Sequence, residues 1–294
     1  MLSYRFLGLP EPLADIERAG IVILPVAYDA TASYRAGTRE GPARIIEASR
    51  YLEWYDEETE TEVYRLGIAT HPELEPVATG PEAMVEEVYR AVSGILASGQ
   101  FPVILGGEHT VSLGAIRAAI ETTPNLVVLQ LDAHADLRDT YQGSSFSHAC
   151  VMARVAEICP FIQVGLRSLS REEALWLKKR GLRPYWAREV VGRGEEVARQ
   201  IVSQVAGRPL YVTIDCDVFD PAIMPAVGTP EPGGLSWFEV ITILRSVSQT
   251  TQIVGFDVVE LAPIAGQVAP DFLAARLVYK FLSYIFSRSL RSEA

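Results

Sequence analysis

The chain has 294 residues, of which 49% are hydrophobic and 21% charged, and this composition predicts a globular protein with a sizeable buried core. Its formal net charge of −11 argues against nucleic acid and anionic membranes as partners, because both bind basic surfaces, and it favours a small cationic partner. The sequence has no apolar span of about 18 residues and no secretory signal pattern, and its three cysteines lack disulfide or metal-site spacing, so we expect a cytoplasmic protein.

Six near-continuous apolar runs are predicted to be strands of a mainly parallel sheet that helices cover on both faces. The runs lie at residues 21–25, 102–105, 126–131, 161–164, 210–214 and 253–256. Helical patterns occupy 42–52, 81–99, 110–121, 148–158, 171–180, 194–206 and 271–288, and the capping-box spacing of Ser236 and Glu239 predicts a further helix. Strand and helix alternate without a linker, so we expect one α/β domain over residues 1–294, a three-layer α/β/α sandwich.

Polar residues that an apolar core would not favour stand at the ends of four predicted strands. They are Glu108 and His109 at the second strand, Asp132, His134 and Asp136 at the third, Asp215 and Asp217 at the fifth, and Asp257 and Glu260 at the sixth. The carboxyl ends of parallel strands share one edge of the sheet, where ligands bind in folds of this class. We therefore expect these side chains to meet at that edge.

The stretch DAHAD at 132–136 is the strongest of these signals. Alternate side chains of an extended chain point the same way, so its two carboxylates and its imidazole converge. Taken singly, Asp215 and Asp217 could be turn or cap residues, and His109 could be a histidine in a turn. Together the carboxylates would repel one another, and a bound cation is the usual way to stabilise such a group.

Six of these side chains are candidate metal ligands. They supply two imidazoles and four carboxylates, more donors than one ion needs, which favours two divalent ions that share carboxylates. Oxygen donors outnumber nitrogen donors and no thiolate is included, so the set suits Mn²⁺ better than a structural zinc ion, and Cys216 is expected to face away. The predicted ligands of two Mn²⁺ ions are His109, Asp132, His134, Asp136, Asp215 and Asp217.

Several ordered motifs resemble those of the ureohydrolases, the family of arginases and agmatinases. They are RAGTREGP at 35–42, GGEH at 106–109, DAHAD at 132–136, SHA at 147–149, DCDVFDP at 215–221, GTPEPGG at 228–234 and Glu260. The resemblance extends over about residues 24–284. It implies a three-layer α/β fold, a binuclear Mn²⁺ centre, hydrolysis of a guanidinium group to urea and an amine, and assembly as a homo-oligomer, a trimer or a hexamer.

The resemblance also implies roles beyond metal binding. It makes Asp136 a proton relay to the leaving nitrogen, and it makes His148 the histidine that exchanges protons with solvent and the departing amine. Glu260 becomes the carboxylate that pairs with the substrate guanidinium. Judged by the residues alone, His148 could instead be a surface residue at the start of a helix, and Glu260 could form a salt bridge at a strand end.

The identity of the guanidino substrate depends on the residues around the motifs. Arg138 stands where arginases carry an Asn that holds the substrate carboxylate, and segment 165–170 lacks the acidic residue of arginases. The sequence is thus more similar to agmatinases, which implies hydrolysis of agmatine to putrescine. Arg138 could repel the amine of agmatine or hold an acidic tail, unless it pairs with Asp139. The open alternatives are N1-aminopropylagmatine, guanidinobutyrate, arginine or formiminoglutamate as substrate, and a catalytically silent metal-binding homologue.

Overall fold

One parallel β-sheet runs through the middle of the molecule. The computed structural model describes residues 4–292, and within that range the sheet has eight strands. Their order across the sheet is β2-β1-β3-β8-β7-β4-β5-β6, and each neighbouring pair is parallel. The strands are β1 Ile21–Val26, β2 Ile68–Thr70, β3 Phe101–Gly106, β4 Val127–Leu131, β5 Phe161–Leu166, β6 Tyr185–Trp186, β7 Leu210–Asp215 and β8 Ile253–Val259.

Helices cover both faces of the sheet. They are α1 Gly41–Ser49, α2 Pro81–Ala97, α3 Ser112–Thr122, α4 Val151–Ile158, α5 Arg171–Lys179, α6 Ala187–Val190, α7 Gly194–Val205, α8 Trp237–Thr250 and α9 Ala269–Ser292. Helices α1 and α6 to α9 pack on one face with Ile21 and Ile23, and α2 to α5 pack on the other with Val22 and Leu24. Because successive strand residues point to opposite faces, two apolar layers require apolar residues at nearly every strand position. The predicted three-layer α/β/α sandwich is confirmed.

The predicted elements agree with the structure except where they are short. All six predicted strands are present, whereas β2 and β6 were not predicted because runs of three and two residues give no periodic signal. The predicted helix at 148–158 was wrong at its start, since residues 148–150 form a 3₁₀ turn and α4 begins at Val151. The capping box before α8 is formed, with Ser236 N–H donating to Glu239 Oε2 at 2.8 Å.

The carboxyl ends of the four central strands are nearly level. Register pairs link Leu105 with Val258, Val258 with Ile214, and Ile214 with Leu131, so β3, β8, β7 and β4 end at the same edge. The loop after β1 packs against the loop after β3 at this edge. A Cβ at Gly107 would lie 1.9 Å from the carbonyl oxygen of Tyr28, so only glycine permits this close contact between the two loops. This edge therefore gathers the loops that carry the predicted site residues. Within residues 4–292, no helix has the length and apolarity needed to cross a membrane.

Candidate active site

His109 lies at the centre of a buried group of carboxylates. It follows β3 in a 3₁₀ turn and is 1% exposed. Its Nδ1 is 3.1 Å from Asp132 Oδ2, 3.1 Å from Asp136 Oδ2 and 3.4 Å from Asp215 Oδ2. We call these four residues the His109 group; they come from the ends of β3, β4 and β7.

A second donor group adjoins the first and shares one member with it. His134 Nδ1 is 2.8 Å from Asp217 Oδ2 and 3.8 Å from Asp132 Oδ1. We call His134, Asp132 and Asp217 the His134 group. Asp132 thus directs one carboxylate oxygen to each group, and the structure brings all six predicted ligands together. Cys216 lies in a 3₁₀ turn rather than in the strand, and its side chain is buried in the apolar core, away from the donors.

The chemistry of the two groups fits a divalent cation in each. Among the described residues, His109 Nδ1 is a buried polar atom without a hydrogen-bond partner, although three carboxylate oxygens face it. Burial, followed by the charges of Asp217 and Asp136, raises the pKa of Asp132 to about 7. Both observations indicate a place where positive charge is needed. The ligand atoms of His109, Asp132 and Asp136 lie within 4.8 Å of one another, and so do those of Asp132, His134 and Asp217.

A buried hydrogen-bond chain fixes the orientation of His109. Thr213 Oγ1 donates its hydrogen to Asp257 Oδ1 at 2.6 Å, so it can only accept from His109 Nε2–H, which lies 2.8 Å away. Tyr211 O–H also donates to Asp257, at 2.9 Å. Because Nε2–H is engaged in this way, Nδ1 is the ring nitrogen that faces the carboxylates and would bind a metal ion. Sequence reasoning placed Asp257 at the sheet edge, but it lies inside β8 and acts through Thr213.

Asp132 is held by a second chain of polar residues. Gln130 Nε2 donates to Asp132 Oδ2 at 2.6 Å, and Gln163 Nε2 donates to Gln130 Oε1 at 2.6 Å. Sequence reasoning missed both glutamines. A fully buried amide in the otherwise apolar strand β4 was the available signal, because a buried polar group needs a partner.

A cavity of about 280 Å³ opens beside the two donor groups. It is lined by His134, Asp136, Asp215 and Asp217 from these groups, and by His148, Glu260 and Arg138. Sequence reasoning named all of these residues from loops far apart in the chain. The arrangement places metal donors, a further carboxylate and a further imidazole around one polar volume of the size of a small molecule.

Glu260 is a carboxylate of the cavity wall that lies close to the His109 group. His109 N–H donates to Glu260 Oε1 at 2.7 Å, and Glu260 N–H donates to Gly107 O at 2.8 Å. Burial, followed by the charge of Glu108, raises the pKa of Glu260 to about 8. Glu260 has φ +64° and Asp136 has φ +53°, a left-handed conformation that costs energy in residues other than glycine and is concentrated at functional sites.

His148 also lines the cavity and is held by hydroxyl groups. Its Nδ1 is 3.1 Å from Thr31 Oγ1, and its Nε2 is 3.4 Å from Ser33 Oγ. The ring of Tyr141 packs edge-on against it, with centroids 5.9 Å apart. Burial lowers the pKa of His148, so the neutral ring is favoured near neutral pH.

Arg138 does not pair with Asp139. Its guanidinium lies over the ring of Tyr141, 4.9 Å from the centroid, while Asp139 accepts from Arg154 at 2.7 Å. The cation of Arg138 therefore stays on the cavity wall. By contrast, Arg167 of the Gly-Leu-Arg segment donates to backbone carbonyls, including those of Asp217 at 2.6 Å and Glu231 at 2.8 Å.

Known proteins are similar to this chain in fold and over most of its length. The Arginase family matches residues 19–283. An N(1)-aminopropylagmatine ureohydrolase from Synechocystis sp. is 40% identical over 93% of this chain and 92% of its own length. An agmatinase from Pyrococcus horikoshii is 34% identical over 99% of both chains. The crystal structure of an agmatine ureohydrolase of Thermoplasma volcanium superposes with a TM-score of 0.85 at 31% identity, covering 95% of this chain and 94% of that one. With its motifs at one sheet edge and relatives matching nearly end to end, the chain belongs to the arginase family.

Proposed function

We propose that this chain is a binuclear-metal ureohydrolase that acts as one catalytic domain and hydrolyses agmatine to putrescine and urea. The observation that carries the proposal is the position of Asp132, whose two oxygens face the two donor groups beside a cavity that also holds Glu260 and His148. A carboxylate placed between two imidazole-containing groups matches what two bridged divalent ions need. The family membership supports the same class of reaction.

Two Mn²⁺ ions are the proposed cofactors. The His109 group would hold one ion and the His134 group the other, with Asp132 contributing to both. Carboxylate oxygens predominate in the set, which favours Mn²⁺ over metals that prefer nitrogen and sulfur ligands. When bound, the ions supply Lewis acidity, which lowers the pKa of water and stabilises developing negative charge.

Glu260 is proposed to hold the guanidinium group of the substrate. Its Oε1 accepts from His109 N–H, and its Oε2 faces Gly228. A Cβ added at Gly228 would lie 3.7 Å from this Oε2, in van der Waals contact with it, so glycine leaves this oxygen with more room. Because burial raises the pKa of Glu260, an approaching guanidinium cation would restore the ionised form and make a charge-assisted pair.

Asp136 and His148 are proposed to move protons during the reaction. The oxygen of a water forms a bond to the guanidinium carbon, the bond from that carbon to the alkyl nitrogen breaks, and both water protons end on the departing nitrogen, which leaves as an ammonium group. The Asp136 carboxylate would accept the first of these protons and pass it on, and the His148 ring would carry the second to the amine or exchange it with solvent. The two side chains line the same cavity, as this division of work requires.

The cavity supports a substrate without a carboxylate. Two arginines line it, but the guanidinium of Arg138 lies over the ring of Tyr141 and that of Arg35 donates to the carbonyl oxygen of Pro263 at 2.9 Å. The carboxylates that line it are those of Asp136, Glu173, Asp215, Asp217 and Glu260. A dicationic molecule such as agmatine would also be attracted by the net charge of −11. These features favour agmatine over arginine and guanidinobutyrate.

N1-aminopropylagmatine is a second candidate substrate, and its hydrolysis would give urea and spermidine. The observation that favours it is the 40% identity to a relative that carries this name. Both substrates present the same guanidinobutyl group to the metal site, and they differ only in the chain beyond the amine. Discrimination between them would therefore arise at the cavity wall around Arg138 and Tyr141 rather than at the metal ligands.

Product release from Mn²⁺-reconstituted protein tests the proposal. Agmatine, N1-aminopropylagmatine, guanidinobutyrate and arginine would be compared by urea release, and formiminoglutamate by formamide release. We expect kcat/KM for agmatine to exceed that for arginine by about tenfold or more. Equal activity on arginine would contradict the argument from the missing carboxylate contacts. Absence of turnover by a protein carrying two Mn²⁺ ions would support a silent homologue.

We further propose a homo-oligomer, a trimer or a hexamer, that acts in the cytoplasm. The support is the family membership for the assembly and the unpaired cysteines for a reducing compartment. Light scattering at several protein concentrations tests the first point, because a monomer mass at all of them would contradict it.

A further inference from the structure

Glu108 is a buried carboxylate that the proposed reaction leaves without a role. It is 0% exposed, and its two oxygens both accept hydrogen bonds from Thr31, Oε2 from the backbone N–H at 2.7 Å and Oε1 from the hydroxyl at 2.7 Å. Thr31 lies in the loop after β1, and Glu108 follows β3, its neighbour in the sheet. Two donors from a single residue hold that residue in one orientation.

Thr31 in turn contacts His148 through the same hydroxyl oxygen. The backbone N–H of His148 donates to Thr31 Oγ1 at 3.0 Å, and His148 Nδ1 lies 3.1 Å from it. A hydroxyl has one hydrogen and two lone pairs. Because its hydrogen goes to Glu108, both lone pairs must accept from His148, one from the backbone N–H and the other from a protonated Nδ1.

The alternative arrangement of the ring is disfavoured by the same geometry. Ser147 Oγ lies 3.3 Å from His148 Nδ1 and could donate to an unprotonated Nδ1. That tautomer would place the lone pair of Nδ1 against a lone pair of Thr31 Oγ1 at 3.1 Å, because the Thr31 hydrogen is bound to Glu108. While it is ionised, the carboxylate of Glu108 therefore decides which ring nitrogen carries the proton.

We propose that Glu108 and Thr31 are positioning residues that hold neutral His148 as the Nδ1–H tautomer, with the lone pair on Nε2. Nε2 is the nitrogen on the side of Ser33, which lines the cavity with His148. A lone pair there can take up and return a proton within the cavity, whereas Nδ1 is enclosed by hydroxyl groups. The catalytic part of this inference rests on the proposed function of His148, and the tautomer itself does not.

Nitrogen-15 NMR of the histidine rings tests the tautomer directly. The chain has four histidines, so the His148 signals can be assigned by their loss in His148→Gln. Protein loaded with diamagnetic Mg²⁺ would be compared as wild type, Thr31→Val, Thr31→Ser and Glu108→Gln. We expect a protonated Nδ1 in the wild type and in Thr31→Ser, and a shift toward protonated Nε2 in Thr31→Val and Glu108→Gln. Thr38→Val is the matched control, a buried threonine whose hydroxyl has no partner among the described residues.

Kinetics of the Mn²⁺-loaded variants test the consequence for the reaction. We expect Thr31→Val to lower kcat for urea release about tenfold or more with KM within about twofold, and Thr31→Ser to recover most of the rate. Elemental analysis should find two ions per chain in each variant. An unchanged tautomer in Thr31→Val and Glu108→Gln, or equal losses in Thr31→Ser and Thr31→Val, would overturn the inference. A wild-type protein without ureohydrolase activity would refute the proposed function, and the NMR comparison would still decide the tautomer.

Discussion

Replacement of Asp132 by asparagine should separate metal binding from folding. Asp132 directs Oδ2 to His109 and Oδ1 to His134, so Asp132→Asn removes a charged ligand from both donor groups while keeping the shape of the side chain. We expect both ions to be lost or greatly weakened. The metal-free protein should change little, because the burial and neighbouring charges that raise the pKa of Asp132 already disfavour its ionised form.

The size of the effect follows from mass action. At a free Mn²⁺ concentration of about 100 times Kd, each ion stabilises the folded state by about 2.7 kcal/mol, so two ions contribute about 5 kcal/mol. At about 2 °C per kcal/mol for a chain of this length, Mn²⁺ should raise the Tm of the wild type by roughly 10 °C. The corresponding rise in Asp132→Asn should be below about 2 °C. Replacing one carboxylate oxygen by an amide also disturbs a hydrogen bond from Gln130 or His134, at a cost of about 1 kcal/mol in the metal-free protein.

Differential scanning fluorimetry with and without Mn²⁺, together with elemental analysis, measures both quantities. Asp56→Asn is the matched control, because Asp56 is equally buried but pairs with Lys280 at 2.9 Å, outside both donor groups. The control should unfold at a lower temperature, since it weakens a buried ion pair, yet keep the full Mn²⁺-induced rise in Tm. If Asp132→Asn retained two ions and the wild-type rise in Tm, a shared carboxylate would not be the basis of this site.

Three further changes test other parts of the site. His148→Gln should keep both ions but lower kcat by about 10²-fold or more. In the wild type, burial lowers the pKa of His148 and keeps its ring neutral to lower pH, so activity should fall on the acid side only below the ordinary imidazole pKa. Thr213→Val removes the acceptor for His109 Nε2–H and should weaken Mn²⁺ binding about 10–100-fold in calorimetry, whereas serine at this position should not. Arg138→Gln should lower KM for agmatine about twofold to fivefold by removing a like charge beside Tyr141, and an unchanged or higher KM would contradict this.

The layered fold was accessible from sequence because its signals are local. A parallel sheet covered on both faces imposes near-continuous apolar runs, and β1, β3, β4, β5, β7 and β8 all show them. The edge strands β2 and β6 are too short to show a pattern, and they form because the neighbouring strand offers unpaired backbone groups. The order of the strands was not predicted, because it depends on how crossover segments pack rather than on any single run.

The metal donors were predictable for a different reason. Each follows a recognisable strand, and parallel strands bring their carboxyl ends to one edge, so position along the chain implied position in space. The supporting residues were not predictable in this way. Thr213 contacts His109 across 104 positions, and Thr31 contacts His148 across 117 positions, and neither hydroxyl stands out in its own stretch of sequence. Threonine is common in strands and loops for other reasons, so only the folded geometry identifies these two.

The metal-free site explains how so many buried carboxylates are tolerated before any ion binds. Burial disfavours the protonated ring of His134, but the charges of Asp217 and its neighbours outweigh burial and raise the pKa of His134 to about 11. The imidazolium proton then balances carboxylate charge that a metal ion would otherwise balance. Because this folded pKa lies above the unfolded value of about 6.5, the resulting stability is complete below that value and is lost as pH rises toward 11. A bound ion must displace the same proton, so its affinity increases with pH over the interval in which the metal-free protein weakens. The stabilisation that a bound ion adds should therefore increase as the pH rises from about 6.5 toward 11, and thermal unfolding with and without Mn²⁺ at several pH values measures this.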